Sequence, residues 1–465
     1  MIKTKRRWCG ILSLLVSAVF ALSGSAFAQK DEPREQKLQD RKAVVYFFNR
    51  LTSTFCPTPD KRLLLAWPGL SLPDTTGGLS RDDHYALARL VNVVPNTDDL
   101  LYWTTTQQVP DLIEYVLANM RSPKNSEEPG NKARLKEAFD ALRDPKTGIR
   151  TPMYRKYLEQ QVRYDDTITD VENERFLTKS RAGDAKSKEL QVRELAALTE
   201  FKRDGYYTEF TTIQKTIEDI SNNDSGVWWY NFRQEFETHK SHSSAGGTFW
   251  DTEYLPPVEN WLGYQGGWKT IKISNANVDM VSPNELIIAE DKVPDVPLLT
   301  FEGAKRMNIE SFSISMEVKR VYIVRPWLDK NLFSNRVWTL DGVTPGPFGL
   351  TINKGTKPDM PYLISSVLIA RNCRILLRGW RSLTEAAIAL SSKSFGMVNL
   401  RETAIFGQAI KSGVKFEFKT GINDPRVPGK SVGVNITCPG VQIIGFLCDL
   451  VPKSPNPDPK YKFAP

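Results

Sequence analysis

SFSISMEVKRVYIVRPW, Ser311 to Trp327, decides how the second half of the chain is read. Its first eight residues alternate. Phe312, Ile314, Met316 and Val318 fall on one side, and Ser311, Ser313, Ser315 and Glu317 on the other. Strand side chains alternate between faces, so this is a strand with one face on a core and one on solvent. Past Val318 the odd side turns apolar at Val321 and Ile323, while the even side runs Arg320, Tyr322, Val324. Either the strand enters a doubly covered core, or a bulge at Lys319-Arg320 shifts its register. Arg320 is the lone charge on the otherwise apolar even side; if buried, it needs an acidic or carbonyl partner. Pro326 has no N–H, so it ends the ladder and steers Arg325 toward an extended backbone. Trp327 then caps the end of the core and Trp338 returns over it. Arg325-Pro326-Trp327 reads as a strand stop that needs no ligand.

Similar stretches surround it. Trp268–Ile273, Tyr362–Ala370, Cys373–Leu377, Val414–Lys419, Gly433–Cys438 and Gln442–Leu447 are strand candidates punctuated by Gly and Pro. They predict an antiparallel β-sandwich-like domain over residues 268–453. Ser382-Leu383-Thr384-Glu385 has capping-box spacing and fits a short helix almost as well as a strand. Upstream, KAVVYFFNR (42–50) and KRLLLAWPG (61–69) read as two more strands. Two strands alone are marginal in water, so residues 29–79 are assigned to the same β domain.

Between them, residues 80–237 are helical. Ser80 caps a first turn carrying Asp82 and Asp83, Pro110 suits a helix start, and Asn131–Leu142 is a further helix. Tyr154, Tyr157, Gln161, Tyr164, Ile168 and Val171 step by three and four, as do Tyr206, Phe210, Ile213, Ile217 and Ile220. The expectation is a coiled-coil-like helical hairpin, turning at Arg181–Asp184, with one continuous second helix over 184–221. The class is therefore α+β and multidomain: a long-helix bundle inserted into a β domain. Residues 238–267 form an aromatic, Gly- and Ser-rich connector, and the Pro-rich tail 454–465 is expected extended and exposed.

Residues 1–28 have the layout of a signal peptide: Lys3, Lys5, Arg6 and Arg7, then the apolar run Ile11–Leu22, then Ala26-Phe27-Ala28. Export to the periplasm or outside the cell follows, with no transmembrane span in the mature chain. The whole chain carries 62 Lys+Arg against 54 Asp+Glu, and four of the bases lie in the leader, so the mature net charge is a mild +4. That gives no reason to expect nucleic acid. Four cysteines remain after the leader: Cys56, Cys373, Cys438 and Cys448. In an oxidising compartment they are expected as disulfides, Cys438–Cys448 stapling neighbouring strands and Cys56–Cys373 as a long-range tie. No Cys-x-x-Cys supports zinc.

No catalytic, cofactor or metal motif appears. His84 stands in a helix start, and His239 and His242 lie in a Ser/Gly loop without a third ligand. There is no G-x-S-x-G elbow, P-loop, dinucleotide fingerprint or EF-hand. Two clusters remain as candidates. Trp228, Trp229, Trp250, Trp261 and Trp268 are five of eleven tryptophans in a short span. They suit either ligand or membrane contact, or the junction between helices and strands. Arg371, Arg374, Arg378 and Arg381 are a candidate anion site. The expected function is an exported, non-enzymatic interaction protein whose partner is a protein, glycan or membrane surface. A membrane-active, pore-forming type is the alternative, and a carbohydrate-binding or carbohydrate-acting protein the third.

Overall fold

A computed structural model describes residues 34–463, apart from 57, 59, 73–77, 97–106, 124–129, 179–183, 290–292, 300–308, 310, 355–357, 381–393, 401–413, 423–430 and 462. The expected leader, the turn at 181–183, the Ser382 segment and Arg381 lie outside the described residues. The chain divides into two units, residues 1–39 and 40–465. Of the first, only the opening turns of helix α1 (Arg34–Phe55) are described; every other element belongs to the second.

Helix and antiparallel sheet are mixed, an α+β fold. Eight strands make one sheet: β1 Lys61–Ser71, β4 Glu253–Leu255, β5 Lys269–Ser274, β6 Ser311–Val324, β7 Tyr362–Trp380, β10 Lys415–Ile422, β11 Ser431–Cys438 and β12 Gln442–Leu450. Two small ladders stand apart, β2 Lys240–His242 with β3 Thr248–Trp250, and β8 Ser394–Phe395 with β9 Val398–Asn399. Strands β6 and β7 pair along most of their length and serve two half-sheets. The first runs β5, β6, β7, β11, β10; the second runs β4, β6, β7, β12, β1. Strands β11 and β12 therefore lie end to end along one edge of β7.

The two halves bury β6 differently. In the first, Phe312, Ile314, Met316 and Val318 enter a core with Ile271, Ile375 and Ile436. Ser311, Ser313 and Ser315 stay half-exposed. In the second, both faces are covered. Val321, Val367, Ile369 and Phe446 pack with Leu87, Val91, Tyr254 and Trp261. Leu63, Leu65, Leu368 and Leu447 share the core of the first half. Of the two explanations for the broken alternation, the doubly covered core is the one found. The register irregularity lies between Ser315 and Glu317 rather than at Lys319-Arg320. Nearby Asn372 takes a positive φ of 51°, a conformation asparagine tolerates better than most residues.

The element over the inner face is a correction. KAVVYFFNR belongs to α1, not to a strand. Ala43, Val44, Phe47, Leu51 and Phe55 are fully buried in the sheet's core, and their spacing of three and four is helical. The run is apolar on so much of its circumference that β-branched and aromatic composition masked the period. Burying each such side chain is worth roughly 1.5–3 kcal/mol, which outweighs a propensity difference of under about 1 kcal/mol per residue.

The helical region holds α2 Arg81–Val91, α3 Val109–Asn119, α4 Asn131–Leu142, α5 Pro152–Thr178, α6 Asp184–Asp204, α7 Tyr207–Asn223 and α8 Ser225–Thr238. Ser80 and Asp83 form a reciprocal capping box at the start of α2. Helices α5, α6 and α7 meet through rings: Tyr157 stacks on Phe210 at 3.7 Å, and Tyr164 on Phe201 at 5.7 Å. Arg175–Glu194 and Arg193–Glu174 tie α5 to α6. The expected continuous second helix breaks at Gly205-Tyr206. A Cβ on Gly205 would lie 2.5 Å from the Phe201 carbonyl oxygen, and Tyr206 turns left-handed with φ 51°. The Pro-rich tail is also not free. Ser454 is fully buried, donating its N–H to Gly349 and accepting from Thr351.

Candidate functional site

One edge of β6 is incomplete. Strand β5 pairs with Ser313 to Val318 and β4 with Tyr322 to Val324, so among the described residues no strand faces Lys319, Arg320 and Val321 on that side. Helix α5 brings its acids to this gap. Lys319, fully buried, donates to Asp166 at 3.1 Å and to the Gly266 carbonyl at 2.8 Å, beneath the Tyr264 ring at 4.4 Å. Lys269 pairs with Asp170. Burial pulls the Lys319 amine down, and Asp166 opposes it.

Arg320 points to the opposite face, where the end of α1, α5 and the strands β1, β6, β7 and β12 approach one another. Its Nη1 donates to the Tyr322 hydroxyl at 3.2 Å, and Tyr322 is hydrogen-bonded to Asp165. Lys61 donates to Asp449 at 2.7 Å, and the Ser365 hydroxyl donates to the same carboxylate at 2.9 Å. Lys330 and Cys56 sit within the field of these charges. Protein surrounds Arg320 and Tyr322 on nearly every side, yet both keep part of their surface open. Cys56 is buried beside them, and Lys61 and Asp449 are partly open.

Lys61, Arg320 and Lys330 lie here with the carboxylates Asp165 and Asp449, and Asp60, Asp166 and Arg325 act on the same groups. Burial raises the Asp165 carboxyl above its ordinary range, against the pull of Arg320 and Tyr322. Burial lowers the Lys330 amine, with Asp449 opposing. At Arg320 burial acts against the charge, but Tyr322 and Asp165 outweigh it and hold the guanidinium above its usual value. Arg320 Nε is buried with no hydrogen-bond partner among the described residues. Such a site can receive a small anion. It is poorly made for nucleophilic chemistry, because burial pushes the Cys56 thiol up to about 11 and the Tyr322 hydroxyl much further.

The residues singled out by sequence fall elsewhere. Trp228, Trp229, Trp250 and Trp261 are buried at 0–6%. Trp228 donates to Asp329 at 2.7 Å, Trp250 to the Phe236 carbonyl and Trp261 to the Pro256 carbonyl. Trp228, Trp229 and Trp250 share a core with Trp327 and Trp338, where helices meet the strand end. Rings so enclosed are not on offer to a sugar or a lipid, which corrects the contact reading for these four. Trp268 is half-buried, its indole donating to the Tyr264 carbonyl and its ring carrying the Arg371 guanidinium at 4.0 Å.

The arginines do not converge. Arg371 is buried, bound to Glu317 at 2.7 Å and to the carbonyls of Leu262 and Tyr264. Arg374 and Arg378 lie on the outward face of the first half-sheet, opposite Ser315 and Ser311. Arg325, in the strand stop, binds the Asn92 side chain and the Val91 carbonyl at the end of α2. The Cys438–Cys448 pairing is a second correction. No two of the four cysteines are joined in this structure. Cys438 lies opposite Cys373 and Cys448 opposite Ile364, so about nine residues of β7, roughly 30 Å at 3.3 Å each, separate Cys438 from Cys448.

Among the described residues no cluster of His, Cys, Asp and Glu is set to hold a metal, and no helix is long and apolar enough to cross a membrane. Of this charged cluster, sequence reasoning found Arg320 alone. Lys61, Asp165, Ser365 and Asp449 come from distant segments and carry no local signal. Comparison with family models, curated proteins and solved structures finds nothing that matches this chain.

Proposed function

We propose that this is an exported, non-enzymatic binding protein whose charged cluster around Arg320 takes a small anionic group, a carboxylate or phosphate. The carrying observation is Arg320, a largely enclosed guanidinium whose Nε–H has no hydrogen-bond partner among the described residues. An anion reaching that donor would satisfy it, and such charge-assisted bonds are among the stronger ones. Export rests on the leader-like layout of residues 1–28. The helical region is taken as an insertion into the β domain, since β1 precedes it in the chain and pairs with β12.

Phosphate, acetate and succinate, each matched for ionic strength with chloride, would be titrated while thermal unfolding is followed. At least one is expected to raise the midpoint. Arg320→Met should abolish the rise and Arg320→Lys keep part of it, with circular dichroism showing each variant folded. The proposal fails if no anion exceeds chloride, or if Arg320→Met responds like wild type. Strong dye release from anionic vesicles would move the reading to the membrane-active alternative.

A further inference from the structure

We propose that Cys373 and Cys438 are a disulfide-forming pair that ties β7 to β11. The two stand directly opposite in the antiparallel register, and both side chains enter the same core at 1% exposure. Directly opposed residues of antiparallel strands have Cα atoms about 4.5–5.5 Å apart, within the 4.4–6.8 Å span that a disulfide needs. No other pairing meets this condition. Cys448 lies in the core on the far face of the sheet, with Ile364 and Phe446. Cys56 sits at the end of α1, over the near face. Each of those two keeps its thiol.

The reaction needs a disulfide donor, a glutathione-type small molecule or a protein disulfide. Each thiol loses its proton and one S–S bond forms between the sulfurs. The electron pair passes to the donor, whose own S–S bond breaks to give two thiols. Burial pushes the Cys438 thiol up to about 12, and Cys373 higher still. The thiolate is the attacking species, so exchange belongs to the folding chain rather than the finished fold.

The denatured, reduced full chain would be refolded in a glutathione redox buffer, alkylated and mapped by mass spectrometry without reduction. A peptide linking Cys373 to Cys438 is expected, with Cys56 and Cys448 alkylated. Tying a loop of this length should shift the unfolding equilibrium by about a thousandfold relative to the reduced protein. Alkylation of both Cys373 and Cys438 in refolded protein would overturn the proposal, as would a linkage joining either one to Cys56 or Cys448. Cys448→Ala should leave the linked peptide in place; its loss in that variant would also count against the pair.

Discussion

The two half-sheets share β6 and β7 yet solve different problems. In the first, β6 shows serines and Glu317 to one side and apolar residues to the other, and its charges stay near water. In the second, both faces are covered, so Lys319 is fully buried and Arg320 keeps only part of its surface open. They are met instead by Asp166 and Asp165, consecutive on α5. The contrast teaches that the helical hairpin is more than an appendage. It supplies the counter-charges that let a strand with two successive cations run through a core.

The largest way to break this contrast is Asp166→Ala. It strands Lys319, which has no exposed surface, and should cost about 3–5 kcal/mol in urea denaturation. The double change Lys319→Met/Asp166→Ala should recover much of that loss; a double variant as unstable as the single would remove the pairing argument. Next is Gly267→Ala. Its φ is +71°, and a Cβ there would lie 2.4 Å from both the Asp166 carboxylate and Lys319 Nζ. A loss of about 2 kcal/mol is expected, read the same way.

Two enclosed carboxylates should titrate in opposite senses. Asp165 is raised by burial, so its charge costs nothing below the unfolded value of 3.8 and disfavours the fold fully above the raised folded value. Wild type should lose stability relative to Asp165→Asn as pH climbs through that window. Burial acts to raise Glu253 too, but Arg143 and Arg150 outweigh it and leave the carboxyl lowered. Its contribution is present above the unfolded value of 4.5 and is lost as pH falls through the lowered folded value, relative to Glu253→Gln. Paired denaturation curves across acid pH would show the two differences running in opposite directions. The smallest effect belongs to the open face, where Arg374→Ala should change stability by less than about 0.5 kcal/mol. A larger loss there would mean that the outward face is not simply solvated.

Much of this contrast was legible in the sequence, and some was not. The alternation over Ser311–Val318 located the half-exposed strand, because period two is written in consecutive residues. The Ser80 cap and the stripe from Tyr154 to Val171 were legible for the same reason. KAVVYFFNR (42–50) was misread because a helix buried over most of its surface loses the polar face that betrays its period. The tryptophans could be counted but not placed, since ring exposure depends on what arrives from Phe236 and Asp329. The Cys438–Cys448 expectation failed because nearness in sequence was taken for nearness across strands, whereas β11 and β12 run end to end.

By itself the sequence determined the local facts: which segments alternate, where Pro326 stops a strand, where a cap starts a helix, and that Arg320 needs a partner. Those facts come from backbone geometry and the cost of burying a charge. Only the tertiary structure decided who that partner is. It chose Asp165 on α5, placed Lys61 and Asp449 beside it, and set Cys373 against Cys438. Register and docking depend on the shape of the whole sheet, and no single stretch of the chain encodes that shape.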